Sequence, residues 1–155
     1  MGLAIAEDAQ PSAHVPRVLV VDDESVIRDL IARALEAEDY IVETARDGYG
    51  ALAAIETFLP DVLVLDLVMP GMPGDEVLRS LRKREIRLPT LVVSASLNGR
   101  TLATDGGADL YMLKPFDLDL LCEQVQYLAS LAEAERIAAA DRTPAVCASH
   151  GTRAD

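Results

Sequence analysis

Val18-Leu19-Val20-Val21-Asp22-Asp23 decides the fold: an unbroken apolar run, mostly β-branched, that stops on two acids. A run of this composition reads as a strand, and a strand apolar at every position has both faces covered. Outward along the chain the same design returns three times. Val62-Leu63-Val64-Leu65 stops on Asp66, Leu91-Val92-Val93 on Ser94, and Leu110-Tyr111-Met112-Leu113 on Lys114-Pro115. In an open parallel sheet the strand ends gather along one edge, and ligands bind there. The pattern therefore predicts three carboxylates, a hydroxyl and an ammonium converging in one cleft. That inventory suits Mg2+-assisted phosphoryl chemistry on an aspartate.

Between these runs lie amphipathic stretches. Strands are expected at 17–22, 40–45, 61–66, 89–94 and 109–113. A helix over 25–38 places Ile27, Leu30, Ile31, Ala34 and Leu35 on one face. Asp47-Gly48 turns the chain into a helix near 49–58, which Pro60 closes. The loop Met69-Pro70-Gly71-Met72-Pro73-Gly74 follows, where Gly71 and Gly74 are free to adopt positive φ. A helix at 75–84 has Asp75 and Glu76 in its first turn, where the dipole favours acids. Arg79, Arg82, Lys83, Arg84 and Arg87 then read as a solvated, basic helix end.

Segment 96–107 carries Asn98, Gly99, Gly106 and Gly107, and each glycine costs up to about 1 kcal/mol of helix propensity. It is expected to be mobile and well placed as an output face. The last helix starts near Asp117, with Leu118, Leu121, Val125, Leu128 and Leu131 stepping by three and four. Five strands alternating with five helices indicate a doubly wound, mostly parallel α/β sheet with helices on both faces.

Residues 1–16 read as a flexible leader, 17–131 as the domain, and 132–155 as a helical extension that frays into a disordered tail. Half of the 155 residues are apolar, enough for a real core. A formal charge of −12 argues against non-specific binding to nucleic acid or to an anionic membrane. No apolar run approaches the length of a membrane span, and Met1 to Ile5 is too short and uncharged for a secretion signal. Cys122 and Cys147 form no C-x-x-C pair, as in reduced thiols of a cytoplasmic protein.

The stretches 18–25, 66–74, 92–95 and 107–116 together resemble the receiver domain of two-component response regulators, of the single-domain, chemotaxis-regulator-like kind. The resemblance covers 17–131. It implies a flavodoxin-like five-stranded parallel sheet of order 2-1-3-4-5 with five helices, an order that periodicity alone does not fix. It also implies a role for each residue. Asp66 accepts a phosphoryl group from a sensor histidine kinase or a histidine phosphotransfer protein. Asp23, Asp66 and the backbone carbonyl of Val68 ligate Mg2+, with Asp22 acting mostly through water. Lys114, one of only two lysines in the chain, pairs with the acceptor and then with its phosphoryl group. Ser94 donates its hydroxyl to a phosphoryl oxygen, Ala95 leaves room for the group, and Tyr111 is the aromatic switch. Pro115 is expected to follow a cis bond.

On this reading the chain is a signalling domain and not an enzyme, and its output is an altered contact with an unknown downstream protein. Nothing after 131 is expected to hold an output domain. The last helix and the 96–120 face are the two candidate homodimer surfaces. Two alternatives stay open: a degenerate receiver that acts as an adaptor without phosphorylation, and an aspartyl-phosphate phosphatase of the haloacid dehalogenase type. The phosphatase wants a second Asp where Val68 stands. Val68 is also too apolar to orient an attacking water, so it is expected to slow self-dephosphorylation.

Overall fold

The computed structural model of the chain describes residues 13–142. Most of the leader, the tail beyond Arg142 and Cys147 lie outside them. Five strands alternate with five helices in chain order. They are β1 (Arg17–Val21), α1 (Ser25–Glu36), β2 (Ile41–Ala45), α2 (Gly48–Phe58), β3 (Val62–Leu65), α3 (Gly74–Lys83), β4 (Thr90–Ser94), α4 (Gly99–Asp105), β5 (Leu110–Leu113) and α5 (Leu118–Asp141). The strands form one sheet of order β2-β1-β3-β4-β5, parallel throughout.

Alternation along each strand builds two cores. Leu19, Val21, Leu63, Leu65 and Val92 point to one face and pack under α2, α3 and α4. Val18, Val20, Val62, Val64, Leu91 and Val93 point to the other, against α1 and α5. Fully apolar strands are thus explained by covering on both faces. β2 departs from that rule. As an edge strand it pairs on one side only, and Ile41, Glu43 and Thr44 are exposed.

Segment 96–107, expected as weak, forms the seven-residue helix α4, followed by Gly107 at φ +84°. The last helix runs unbroken to Asp141, and beyond Ala132 every described residue but the half-buried Arg136 is exposed. Alanines favour the helical state there, and Glu135 is tied to Arg87 at 3.2 Å. The basic run is more engaged than a bare solvated helix end. Arg79 pairs with Asp75 at 3.7 Å, Arg84 with Glu56 at 2.8 Å, and Arg87 with Asp109 at 3.2 Å. Gly71 has φ +79°, as expected, but Gly74 has no positive φ. Its need is space: a Cβ there would sit 2.2 Å from the Asp66 carbonyl oxygen. No helix among the described residues is long and apolar enough to cross a membrane.

Candidate functional site

Register carries the strand ends to one place. Val21 of β1 is the partner of Leu65 of β3, and Ser94 of β4 is the partner of Leu113 of β5. The ladder runs one residue past the strands on both sides. Asp66 N–H donates to the Val21 carbonyl at 2.9 Å, and Lys114 N–H donates to the Ser94 carbonyl at 3.0 Å. Asp22, Asp66, Ser94 and Lys114 therefore share the carboxyl edge of the sheet.

Carboxylate oxygens of Asp22, Asp23 and Asp66 all lie within 4.8 Å of one another, and no other metal-competent cluster occurs among the described residues. Asp22 and Asp66 are buried, while Asp23 is exposed. Unit charges about 4 Å apart repel by about 4 kcal/mol at an effective dielectric near 20. Lys114 relieves part of this. Its Nζ donates to Asp22 Oδ2 at 2.8 Å and to Asp66 Oδ2 at 3.3 Å. The pairing with Asp66 that the resemblance implies is present, but the shorter bond goes to Asp22. Asp22 Oδ1 also accepts from the Glu24 N–H at 2.9 Å. Asp22 thus both joins the acidic cluster and braces the turn that leads into α1.

Burial pushes the Asp66 carboxyl above the ordinary range, and Asp22 adds to the rise. The Lys114 charge and the Val68 N–H, which donates to Asp66 Oδ1 at 3.2 Å, oppose it without cancelling it. For Lys114 burial works downward, but the hydrogen bond to Asp22 and the charges of Asp66 and Asp22 prevail, holding its pKa above the usual value. The Lys114-Pro115 bond is cis, as expected.

An open cleft of ≈ 400 Å³ lies over Asp66 and Lys114, lined also by Asp23, Val68, Ala95 and Ser96, while Asp22 and Ser94, expected to face it, are buried behind its wall. A larger hollow of ≈ 650 Å³ beside β2 gathers no such cluster. Chemistry, not size, singles out the site. The donor set fits a hard divalent cation: oxygen ligands only, open to water on the Asp23 side. Val68 stands at the rim, 63% exposed.

Ser94 is fully buried, and its Oγ accepts from the Ser96 N–H at 3.2 Å. Tyr111 is half-buried beneath α4, its hydroxyl donating to the Ser96 carbonyl at 3.4 Å and the Ser94 carbonyl at 3.5 Å. Two neighbours escaped the sequence reading. A Cβ on Gly99 would meet the Tyr111 hydroxyl at 2.8 Å, and the Arg100 guanidinium lies 5.4 Å from the ring centroid. Propensity marks Gly99 only as a helix weakener; its closeness to an aromatic across the sheet edge has no local signal.

The family model described as "Response regulator receiver domain" matches residues 18–126. Response regulator MprA of Mycobacterium ulcerans is 42% identical over 127 residues, covering 81% of this chain and 55% of the relative. Transcriptional regulatory protein TrcR of Mycobacterium tuberculosis is 42% identical over 114 residues, 72% of this chain and 44% of the relative. The chain thus spans about half the length of these curated relatives. Among solved structures, a CheY-like receiver domain protein of Methanospirillum hungatei has TM-score 0.73 at 31% identity, covering 79% of this chain and 99% of its own. Response regulator TrrA of Thermotoga maritima, solved with Mg2+ and BeF, has TM-score 0.68 at 36% identity, covering 74% and 99%. A sheet of order 2-1-3-4-5, an acid pocket bridged by a lysine, and a family match over 18–126 agree: the chain belongs to the response regulator receiver domain family.

Proposed function

We propose that this receiver domain accepts a phosphoryl group on Asp66 and passes the signal on through altered contacts with another protein. The observation that carries the reading is the single ammonium of Lys114 shared by two buried carboxylates beside a third, exposed one. Such a site gathers more negative charge than its own cation neutralises, and it is open where a phosphoryl donor would enter.

Asp23, Asp66 and the Val68 carbonyl would hold Mg2+, with Asp22 behind them. Bound there, the metal supplies charge neutralisation for carboxylate and incoming phosphoryl group alike. An Asp66 carboxylate oxygen forms the new bond to phosphorus. The phosphorus–nitrogen bond of a phosphohistidine breaks, and its electron pair stays on the imidazole. Lys114, already 3.3 Å from Asp66, keeps one phosphoryl oxygen paired. Ser94 Oγ gives up the Ser96 N–H and donates to another oxygen. Tyr111, which bonds the carbonyls of Ser94 and Ser96, then feels that loop move, and the population of its conformers shifts.

The donor would be a sensor histidine kinase or a histidine phosphotransfer protein, and the setting the cytoplasm. We assign 17–131 as the functional unit and the later part of α5 as an extension of it. Incubation with acetyl phosphate and MgCl2, followed by intact mass measurement, tests the reading. A phosphoryl adduct absent from Asp66→Asn supports it. No adduct on the wild-type chain favours the phosphorylation-independent adaptor, and sustained hydrolysis of phosphate esters favours the phosphatase.

A further inference from the structure

Every polar atom of Asp22 has a partner. Its carboxylate oxygens accept from Lys114 Nζ at 2.8 Å and from the Glu24 N–H at 2.9 Å. Its own N–H donates to the Ala45 carbonyl at 3.2 Å, and its carbonyl oxygen accepts from Arg28 Nη1 at 2.8 Å. Only the last of these partners is a side chain with no part in the chemistry above. Arg28 is half-buried on α1, one turn after the residue that opens the helix, and its N–H donates to the Glu24 carbonyl at 3.0 Å.

The carbonyl that Arg28 holds belongs to the peptide plane joining Asp22 to Asp23. A peptide is planar, so fixing its oxygen fixes the direction in which the chain leaves for Asp23. That matters because Asp23 is exposed and has no burial to hold its carboxylate in place. Across the junction the one other tie is the bond from the Glu24 N–H to the Asp22 carboxylate. Glu24, at the N-cap of α1, makes no side-chain capping bond. Arg28 reaches the carbonyl from the helix side with the planar, many-donor fork of a guanidinium.

We propose that Arg28 is a positioning residue of the acidic site: from α1 it holds the Asp22–Asp23 peptide, sets how the two carboxylates face Asp66, and so sets the affinity for Mg2+. The proposal rests on the metal reading of the site given above. It concerns a residue that touches neither the cation nor the phosphoryl group.

Two variants of the full chain, measured beside the wild type, test it. Arg28→Met keeps the apolar stem and removes the donors; Arg28→Lys keeps a cationic donor; the wild type is the reference. Outer partners of metal ligands are commonly worth about 10-fold or more in affinity, so calorimetric titration with MgCl2 should weaken by roughly that factor in Arg28→Met and less in Arg28→Lys. In the metal-free protein, amide exchange at Asp22 and Glu24 should quicken in Arg28→Met, with β3 and β4 unchanged. Wild-type Mg2+ affinity in Arg28→Met, or exchange that quickens at every amide alike, overturns the proposal. A wild-type chain that binds no Mg2+ defeats the metal reading, while the exchange comparison still decides whether Arg28 holds the loop.

Discussion

At the scale of single residues, Asp66 shows how burial and function pull apart. Its pKa is raised on folding, chiefly by burial. An acid with a raised folded pKa binds its proton more readily folded than unfolded, so its ionised form opposes folding. That penalty is absent below the ordinary carboxylate range and complete once pH passes the folded pKa. Asp66→Asn should therefore be more stable than wild type at neutral pH, and its advantage should shrink as pH falls through the carboxylate range. Urea denaturation at neutral and acidic pH reads this directly, and an advantage that grows toward acid would refute it. Val68 makes a kinetic counterpart. Exposed at the cleft rim, it offers no polar atom from its side chain to a water. Phosphorylated Val68→Asn should lose its phosphoryl group several-fold faster, well short of the ~10²–10⁴-fold of a full general base, because an amide orients a water without taking its proton. Equal decay would sink the idea. Asp22, Asp23, Asp66, Ser94 and Lys114 were all legible in the sequence because each ends an apolar run. That Lys114 bonds more closely to Asp22 than to Asp66 was not legible. A difference of half an ångström between two carboxylates depends on where the β1–α1 turn is pinned, and no local pattern encodes that.

At the scale of elements, α4 is where the sequence reading was least complete. Glycine content predicted a weak segment, and a helix of only seven residues results. Propensity counted Gly99 as a cost, yet its missing Cβ is what lets Tyr111 lie beneath the first turn. Long-range packing overrides a local preference here, as it does at β2, whose exposed edge position could not be told from periodicity. Gly99→Ala should push the Tyr111 ring outward and cost about 1–3 kcal/mol, the usual range for overpacking. Fluorine NMR of fluorotyrosine-labelled protein would report the Tyr111 environment. An unshifted Tyr111 resonance with unchanged stability would show that α4 and the ring are not coupled. The same element should exchange its amides faster than α5, whose buried residues Leu121, Val125 and Leu128 anchor it to the sheet.

At the scale of the whole molecule, the charge of −12 and the acidic cluster act in the same direction. Self-repulsion of a strongly charged chain weakens the compact state, and any salt screens it. NaCl alone should therefore stabilise the protein somewhat. MgCl2 at the same ionic strength should do more, since a cation that binds only the folded chain adds RT ln(1 + [L]/Kd), about 1.4 kcal/mol at ten times Kd. The excess of MgCl2 over NaCl isolates site binding from screening, because screening depends on ionic strength and not on where the carboxylates converge. Asp23→Asn removes the exposed carboxylate of the cluster and disturbs no buried group, so it should abolish the excess while leaving the NaCl response nearly intact. Thermal unfolding followed by circular dichroism in matched salts gives both quantities from one protein. If Asp23→Asn kept the full excess, the stabilisation would come from the general acidity of the surface, and the convergence of the strand ends would have no thermodynamic consequence for metal.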